Sequence, residues 1–174
     1  SNTDGIRNTF LGYQAGNQNT SGDYNIMIGY RAGYLNTTGY RNAFVGYYSG
    51  YANTTGYNNA FFGSYTGYLN STGIYNAMMG NEAGRSNTIG DYNVFIGHQS
   101  GYLDTASYNT FIGYQTGYSN VGGKYNAFLG YKAGYSNTAN YNTFIGYRAG
   151  ESNTTNGGQV YIGYEAGDDA TGDN

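Results

Sequence analysis

The chain contains no cysteine, no proline and no tryptophan, and only 10% of its 174 residues are charged. The absence of cysteine excludes disulfides, zinc–thiolate sites and cysteine nucleophiles, and it leaves the compartment open. No apolar run approaches the ~20 residues of a membrane-spanning helix, and the N-terminus lacks the charged-then-apolar layout of a signal peptide. The seven basic residues are scattered and the net charge is −3, which argues against nucleic acid as a partner.

The chain is instead built from a short repeat, rich in glycine and tyrosine. Near copies of residues 141–150 recur at steps of 17 or 16 residues, and aromatic residues keep the same register in each copy, which argues against disorder. Residues 1–174 form one repeat domain with a partial coil at 1–7. The later coils start near Asn8, Asn25, Asn42, Asn59, Asn76, Asn93, Asn109, Asn126, Asn142 and Gln159. Such a period is typical of a stacked architecture.

Two glycines mark every copy, four and eight residues after this Asn, and we call them the first and second glycine. The segment Asn8–Gly12 is typical of a short strand bounded by turn residues. Tyr34 and Leu35, which precede an Asn-Thr-Thr-Gly turn, predict a second short strand. The sequence therefore predicts an all-β, parallel β-solenoid (β-roll) of about ten 16–17-residue coils, each with two strands and two turns.

Two consecutive positions are apolar in every copy. The Phe/Met column comprises Phe10, Met27, Phe44, Phe61, Met78, Phe95, Phe111, Phe128, Phe144 and Tyr161. The Leu/Ile column, one residue later, comprises Leu11, Ile28, Val45, Phe62, Met79, Ile96, Ile112, Leu129, Ile145 and Ile162. Neighbouring strand side chains point to opposite faces, so one interior shelters only one column.

We expect the Leu/Ile column inside each coil and the Phe/Met column at a contact between subunits. A row of large residues left in water would lose ~1.5–3 kcal/mol per side chain, so the pattern predicts a homo-oligomer. The variable column, two residues past the first glycine, is expected to face solvent. It comprises Gln14, Arg31, Tyr48, Tyr65, Glu82, Gln99, Gln115, Lys132, Arg148 and Glu165.

The pattern Asn-x-Phe-Ile-Gly-x-x-Ala-Gly with Ser-Asn-Thr turns resembles the left-handed parallel β-roll head repeats of trimeric autotransporter adhesins. It also resembles repeat shafts of phage tail fibres and of bacterial fibres that end in a self-cleaving intramolecular chaperone. The likeness covers all ten copies, although the aromatic third position, the many tyrosines and the longer period depart from the usual adhesin repeat, and no neck motif or heptad appears. The resemblance implies an intertwined homotrimer in an extracellular or cell-surface fibre. Since residues 1–3 match the end of a repeat, we expect any signal or anchor outside this segment.

Tyrosines recur in columns, and one of them is the candidate ligand surface. This second-glycine column comprises Tyr34, Tyr51, Tyr68, Tyr102, Tyr118 and Tyr135, and Tyr48 and Tyr65 of the variable column join the predicted ligand-binding set. Such a ribbon of amphipathic rings offers faces for sugars and hydroxyls for hydrogen bonds. Alternatively, the stacked rings only stabilise neighbouring coils. Two further columns follow the first glycine (Tyr13, Tyr30, Tyr47, Tyr114, Tyr131, Tyr147, Tyr164) and precede the Asn (Tyr24, Tyr75, Tyr92, Tyr108, Tyr125, Tyr141).

The side-chain amides of the Asn that starts each coil are expected to form a hydrogen-bonded ladder along the rod. A second Asn column begins the turns, and five of its members fit the N-glycosylation sequon, although turn chemistry explains the same residues. These five are Asn19, Asn36, Asn53, Asn70 and Asn153. The lone histidine, His98, stands at a tyrosine position and is interpreted as a tolerated substitution.

Nothing in the sequence indicates catalysis. No nucleophile–base pair, metal cluster or phosphate-binding loop is found, so we predict no enzyme activity, no cofactor and no metal. Asp168, Asp169 and Asp173 fit weak Ca²⁺ binding, but an acidic solvated terminus is the preferred interpretation. The predicted function is a structural and adhesive fibre segment that presents its Tyr/Asn-rich surface to a cell-surface glycan or protein receptor. The alternative is a purely structural filament or matrix protein without a specific ligand, and ice binding ranks third.

Overall fold

The computed structural model describes residues 2–167, which form a single parallel sheet wound into a β-solenoid of about nine turns. Its ten strands, of three residues each, are β1 (Thr9–Leu11), β2 (Ile26–Ile28), β3 (Ala43–Val45), β4 (Ala60–Phe62), β5 (Ala77–Met79), β6 (Val94–Ile96), β7 (Thr110–Ile112), β8 (Ala127–Leu129), β9 (Thr143–Ile145) and β10 (Val160–Ile162). Each strand pairs with those of the adjacent coils, and equivalent residues are in register, as with Phe44 opposite Phe61. The predicted fold class is therefore confirmed.

Each described coil contains one strand, so the prediction of two strands per coil is wrong. The segment after the second glycine is a turn, yet its backbone still bonds to the next coil, as from Leu35 N to Tyr51 O at 3.0 Å. The reason lies in the backbone angles. Nineteen of the described non-glycine residues have positive φ, a conformation that few side chains tolerate, at the position before the starting Asn and at the variable column. These left-handed residues curl the chain and prevent a second extended run.

The Phe/Met column fills the interior, so the expected placement of the two apolar columns is also wrong. Phe44, Phe95 and Phe144 are fully buried, whereas Leu11 and Met79 of the Leu/Ile column are 64% and 52% exposed. The large rings fit inside because a glycine faces each of them. A Cβ added at Gly50 would lie 2.6 Å from Cδ2 of Phe44, so the second glycine leaves room for the ring. The chain thus shelters its own phenylalanines, and the Leu/Ile column is the one left in water.

The core is a single file of rings along the rod. Centroids of successive rings lie 4.9 Å apart for Phe44 and Phe61 and 4.7 Å apart for Phe128 and Phe144. The first glycines allow the coils to stack this closely. Their φ of +130° to +144° is essentially restricted to glycine. A Cβ at Gly46 would also lie 2.2 Å from the carbonyl oxygen of Gly63 in the next coil.

Both Asn columns form ladders, but the predicted ladder of side-chain amides is found in the second column, whereas the first column links side chains to backbone. In the first column the amide oxygen accepts a backbone N–H of the next coil, as from Asn42 N to Asn25 Oδ1 at 3.0 Å. In the second column the amides bond to one another, as from Asn36 Nδ2 to Asn19 Oδ1 at 2.7 Å. Since buried amides without partners are costly, these ladders fix the stacking of the coils.

Candidate functional site

The second-glycine tyrosine column lies half-buried on the surface, where its rings stack face to face. Ring centroids are 5.3 Å apart for Tyr34 and Tyr51, and 4.9 Å apart for Tyr102 and Tyr118. Arg85 occupies the gap between the two runs of tyrosine. Its guanidinium lies 5.7 Å from the ring centroid of Tyr68 and 5.6 Å from that of Tyr102, and it donates a hydrogen bond to the Tyr102 hydroxyl. The column is therefore continuous, with one cation inserted.

Stacking changes what this column offers a ligand. The rings of Tyr102 and Tyr118 are only 1° from parallel, and those of Tyr51 and Tyr68 are 13° from parallel, so each ring covers the face of the next. A sugar cannot lie on faces that are already covered. The column presents ring edges and phenol hydroxyls at the coil spacing, which suits hydrogen bonding better than stacking.

Tyr48 and Tyr65 are half-buried instead of facing solvent, and they join this column to its neighbour. Edge-on contacts link the rings, with centroids 5.2 Å apart for Tyr48 and Tyr51, 4.6 Å apart for Tyr48 and Tyr47, and 5.5 Å apart for Tyr65 and Tyr68. We call Tyr47, Tyr48, Tyr51, Tyr65 and Tyr68 the tyrosine patch. Sequence reasoning treated these columns separately. It missed their contact because that contact depends on the left-handed backbone of Tyr48 and Tyr65.

Two phenols of this column, those of Tyr68 and Tyr118, have a raised pKa. Burial by neighbouring coils raises the pKa of the Tyr68 and Tyr118 phenols, and the adjacent phenols of Tyr51 and Tyr102, respectively, raise it further. Each therefore remains a hydrogen-bond donor through neutral and mildly alkaline pH.

The rest of the variable column is also half-buried, contrary to expectation. Its side chains bond from coil to coil, as from Arg31 Nε to Gln14 Oε1 at 2.7 Å and from Gln115 Nε2 to Gln99 Oε1 at 2.8 Å. The left-handed backbone turns these side chains along the rod instead of outward. They therefore contribute to the stacking of coils.

The other two tyrosine columns are more exposed. Tyr92 and Tyr141 of the column before the starting Asn are 46% and 65% exposed, yet the sequence analysis did not place them in the ligand-binding set. The first-glycine column is interrupted at Ser64 and Asn81, and it resumes where His98 stacks on Tyr114 at 5.3 Å. His98 thus takes a tyrosine's place in the stack, as a tolerated substitution would.

The five sequon asparagines are enclosed in the rod. All are 0–1% exposed, and their amide nitrogens donate to neighbouring coils and turns, as from Asn36 Nδ2 to the Gly39 carbonyl at 3.0 Å. Glycan transfer needs an accessible amide nitrogen, so these residues are not acceptors in the folded chain. The turn interpretation accounts for them.

Asp104 was missed by sequence reasoning, although it replaces Asn in the second Asn column. Its carboxyl group is fully buried and accepts hydrogen bonds from Ala106 N at 2.6 Å, Asn109 Nδ2 at 2.9 Å and Asn120 Nδ2 at 2.8 Å. Burial raises its pKa from 3.8 to about 7, and these hydrogen bonds only partly oppose the rise. The signal was available, because Asp104 is the one acidic residue in a column of asparagines.

The Asn ladder is broken beside this carboxyl group. Asn87 accepts a hydrogen bond from Gly90 N at 3.0 Å instead of donating to the preceding coil. The Oδ1 atom of Asn70 is consequently buried without a hydrogen-bond partner among the described residues. The second column is therefore divided into one run that ends at Asn70 and another that begins at Asp104, with Asn87 between them.

No protein-family model, curated protein or solved structure matches this chain. Within residues 2–167, His, Asp and Glu do not gather in groups of three that would hold a metal ion, and no helix is long and apolar enough to cross a membrane. The weak Ca²⁺ candidates Asp168, Asp169 and Asp173 lie outside the described residues.

Proposed function

We propose that this chain is a structural and adhesive segment of an extracellular fibre, a stiff spacer that meets cell-surface glycans or proteins through its tyrosines. The observation that supports this proposal most is the in-register stacking of the ten described strands in sequence order. Columns of stacked rings and of hydrogen-bonded amides run along the same axis. At ~4.8 Å per coil this gives a rod ~45 Å long. Several chains would wind together, and three is the number that the resemblance implies.

Adhesion would use hydroxyls and ring edges. Rows of phenol hydroxyls at the coil spacing suit a polyhydroxylated ligand, and the tyrosine patch adds apolar edges beside them. Each contact would be weak, but repetition along the rod and among chains raises avidity. The ligand-binding residues in this proposal remain the eight tyrosines named from the sequence, of which Tyr48, Tyr51, Tyr65 and Tyr68 lie in the patch.

The second candidate is a purely structural rod, and a specific observation favours it. The stacked rings use their faces on one another, at 4.9–5.3 Å in the second-glycine column, so coil stability alone accounts for those tyrosines.

Replacing tyrosine by phenylalanine separates the two candidates, because phenylalanine keeps the stack and removes the hydroxyl. We expect the triple variant Tyr34→Phe, Tyr51→Phe and Tyr68→Phe to lose at least about tenfold in apparent affinity on a glycan array, with an unchanged unfolding midpoint. The matched control carries Tyr75→Phe and Tyr92→Phe in the exposed column and should bind like the parent. Absence of glycan binding by the parent, or equal binding by the triple variant, would favour the purely structural rod.

A further inference from the structure

The outward side of the sheet is an uncharged and largely apolar face. In a three-residue strand the first and third side chains point the same way, here away from the core. The third positions form the Leu/Ile column, and the first positions form what we call the small column. The small column comprises Thr9, Ile26, Ala43, Ala60, Ala77, Val94, Thr110, Ala127, Thr143 and Val160. The two columns together are the outer strand face, and in the ten described strands neither contains a charged residue.

We propose that the outer strand face binds a second copy of this chain, parallel and in register. The inference rests on the fibre assembly proposed above and deepens it by naming the surface and the arrangement. It inverts the assembly expected from the sequence, because the Leu/Ile column forms the contact and the phenylalanines do not.

The size of the face fits this occupant. Ten strands ~4.8 Å apart and three residues of ~3.3 Å each give a face of roughly 480 Å² per copy, or roughly 1,000 Å² over both copies, which is the size expected of a specific interface. Side chains such as Met79 and Leu129, 52% and 47% exposed, would be covered without desolvating any charge. A face of this area is at the upper end of what a soluble monomer leaves in water, and such patches often mark interaction sites.

The two columns also complement each other in volume. The bulkiest members of the Leu/Ile column share their strands with alanine: Phe62 with Ala60, Met79 with Ala77, and Leu129 with Ala127. Where the first position is larger, as with Val94, the third is Ile96. Three strands are exceptions, with Val45 beside Ala43, Leu11 beside Thr9 and Ile28 beside Ile26. A symmetry axis parallel to the rod places the Leu/Ile column of one copy opposite the small column of the other copy. Layers of similar total side-chain volume then pack against each other in register.

A depression in this face matches the largest of these side chains. It has a volume of about 150 Å³ and is lined by Ala60, Phe62, Ala77, Met78, Met79 and Ile96. It lies over two successive alanines of the small column. In the in-register arrangement, the Phe62 side chain of the second copy enters this depression beside Ala60 of the first copy. The same contact forms between Phe62 of the first copy and the depression of the second.

A charge placed on the face tests the surface. We expect the parent to have a native mass of at least two chains, and Leu129→Glu to reduce it to one chain with an unchanged circular dichroism spectrum. Leu69→Glu is the matched control, since Leu69 is 40% exposed but lies on a turn, and it should keep the parent's mass. A monomeric parent overturns the assembly and this inference together. A Leu129→Glu variant that stays oligomeric overturns this surface alone and leaves glycan binding by the tyrosines intact.

Cross-linking tests the register, on a chain without natural cysteine. Oxidation of a mixture of Ala60→Cys and Phe62→Cys chains should give a covalent dimer. A mixture of Ala60→Cys and Ile145→Cys, five coils apart, is the control and should not. Efficient cross-linking of Phe62→Cys with Ile112→Cys, in place of Ala60→Cys, would indicate antiparallel copies and overturn the arrangement.

Discussion

Asp104→Asn should stabilise the protein at neutral and alkaline pH. The carboxyl group is fully buried and its pKa is raised from 3.8 to about 7, so the folded chain holds its proton more tightly than the unfolded chain does. The stabilisation from this proton is complete below pH 3.8 and is lost as the pH rises to about 7. About three pKa units at 1.36 kcal/mol each set an upper limit of about 4 kcal/mol.

The equivalent short coil shows that Asn fits at this position. Asn137 accepts hydrogen bonds from Asn142 and Asn153, and it donates to Asn120 Oδ1 at 3.0 Å and to the Ala139 carbonyl at 2.9 Å. An amide at position 104 would supply a comparable donor toward Asn87. The reciprocal variant Asn137→Asp is the matched control, and it should introduce a second pH-dependent loss of stability.

The assay is urea unfolding followed by tyrosine fluorescence from pH 4 to pH 8. The difference between the parent and Asp104→Asn isolates this carboxyl group, because all others are common to both. We expect a difference near zero at pH 4 that grows to at most about 4 kcal/mol at pH 8. A constant difference, or a parent that gains stability relative to the variant between pH 4 and pH 7, would refute the reasoning.

Two further predictions concern the core. In the Leu129→Glu background, which is expected to be a single chain, Phe95→Ala should cost about 3–5 kcal/mol of unfolding free energy and Ile96→Ala less than about 1 kcal/mol; equal costs there would contradict the placement of the columns. Gly50→Ala should cost about 3 kcal/mol, from a left-handed alanine and a Cβ against the Phe44 ring. Gly158→Ala, also at positive φ but with open space where the new Cβ would lie, should cost only about 1 kcal/mol. Similar costs for Gly50→Ala and Gly158→Ala would show that the contact with the Phe44 ring is unimportant. Urea unfolding measures all four.

The period of the chain was sufficient to predict the solenoid, but not which apolar column lies inside. Two adjacent apolar positions are equivalent under strand alternation, so the pattern alone does not distinguish Phe95 from Ile96. The deciding information was the second glycine. A residue without a side chain opposite the strand leaves space for one large ring, and Gly101 faces Phe95 in this way.

The tyrosine columns were predictable, and their mutual contacts were not. Identical spacing places Tyr51 over Tyr34 in any stacked repeat. The edge-on contact of Tyr48 with Tyr51 requires a left-handed backbone at a tyrosine, which intrinsic preferences disfavour. The burial of Asp104 likewise depends on the second Asn column lying inside the coil, and turn chemistry alone does not distinguish the inside of a coil from its surface.

The features that depart from the repeat concentrate in the middle coils. The tyrosine patch, the Arg85 insertion, the depression beside Phe62 and the break at Asp104 all fall between residues 47 and 104, whereas the core repeats almost unchanged along the rod. A uniform rod would let a second copy slide by one coil at little cost, because each layer would look like the next. In a parallel pair, a slip of one coil would move Phe62 away from Ala60 and the depression. In the proposed assembly, Phe62 and the depression would therefore supply the register that the periodic coils on either side lack.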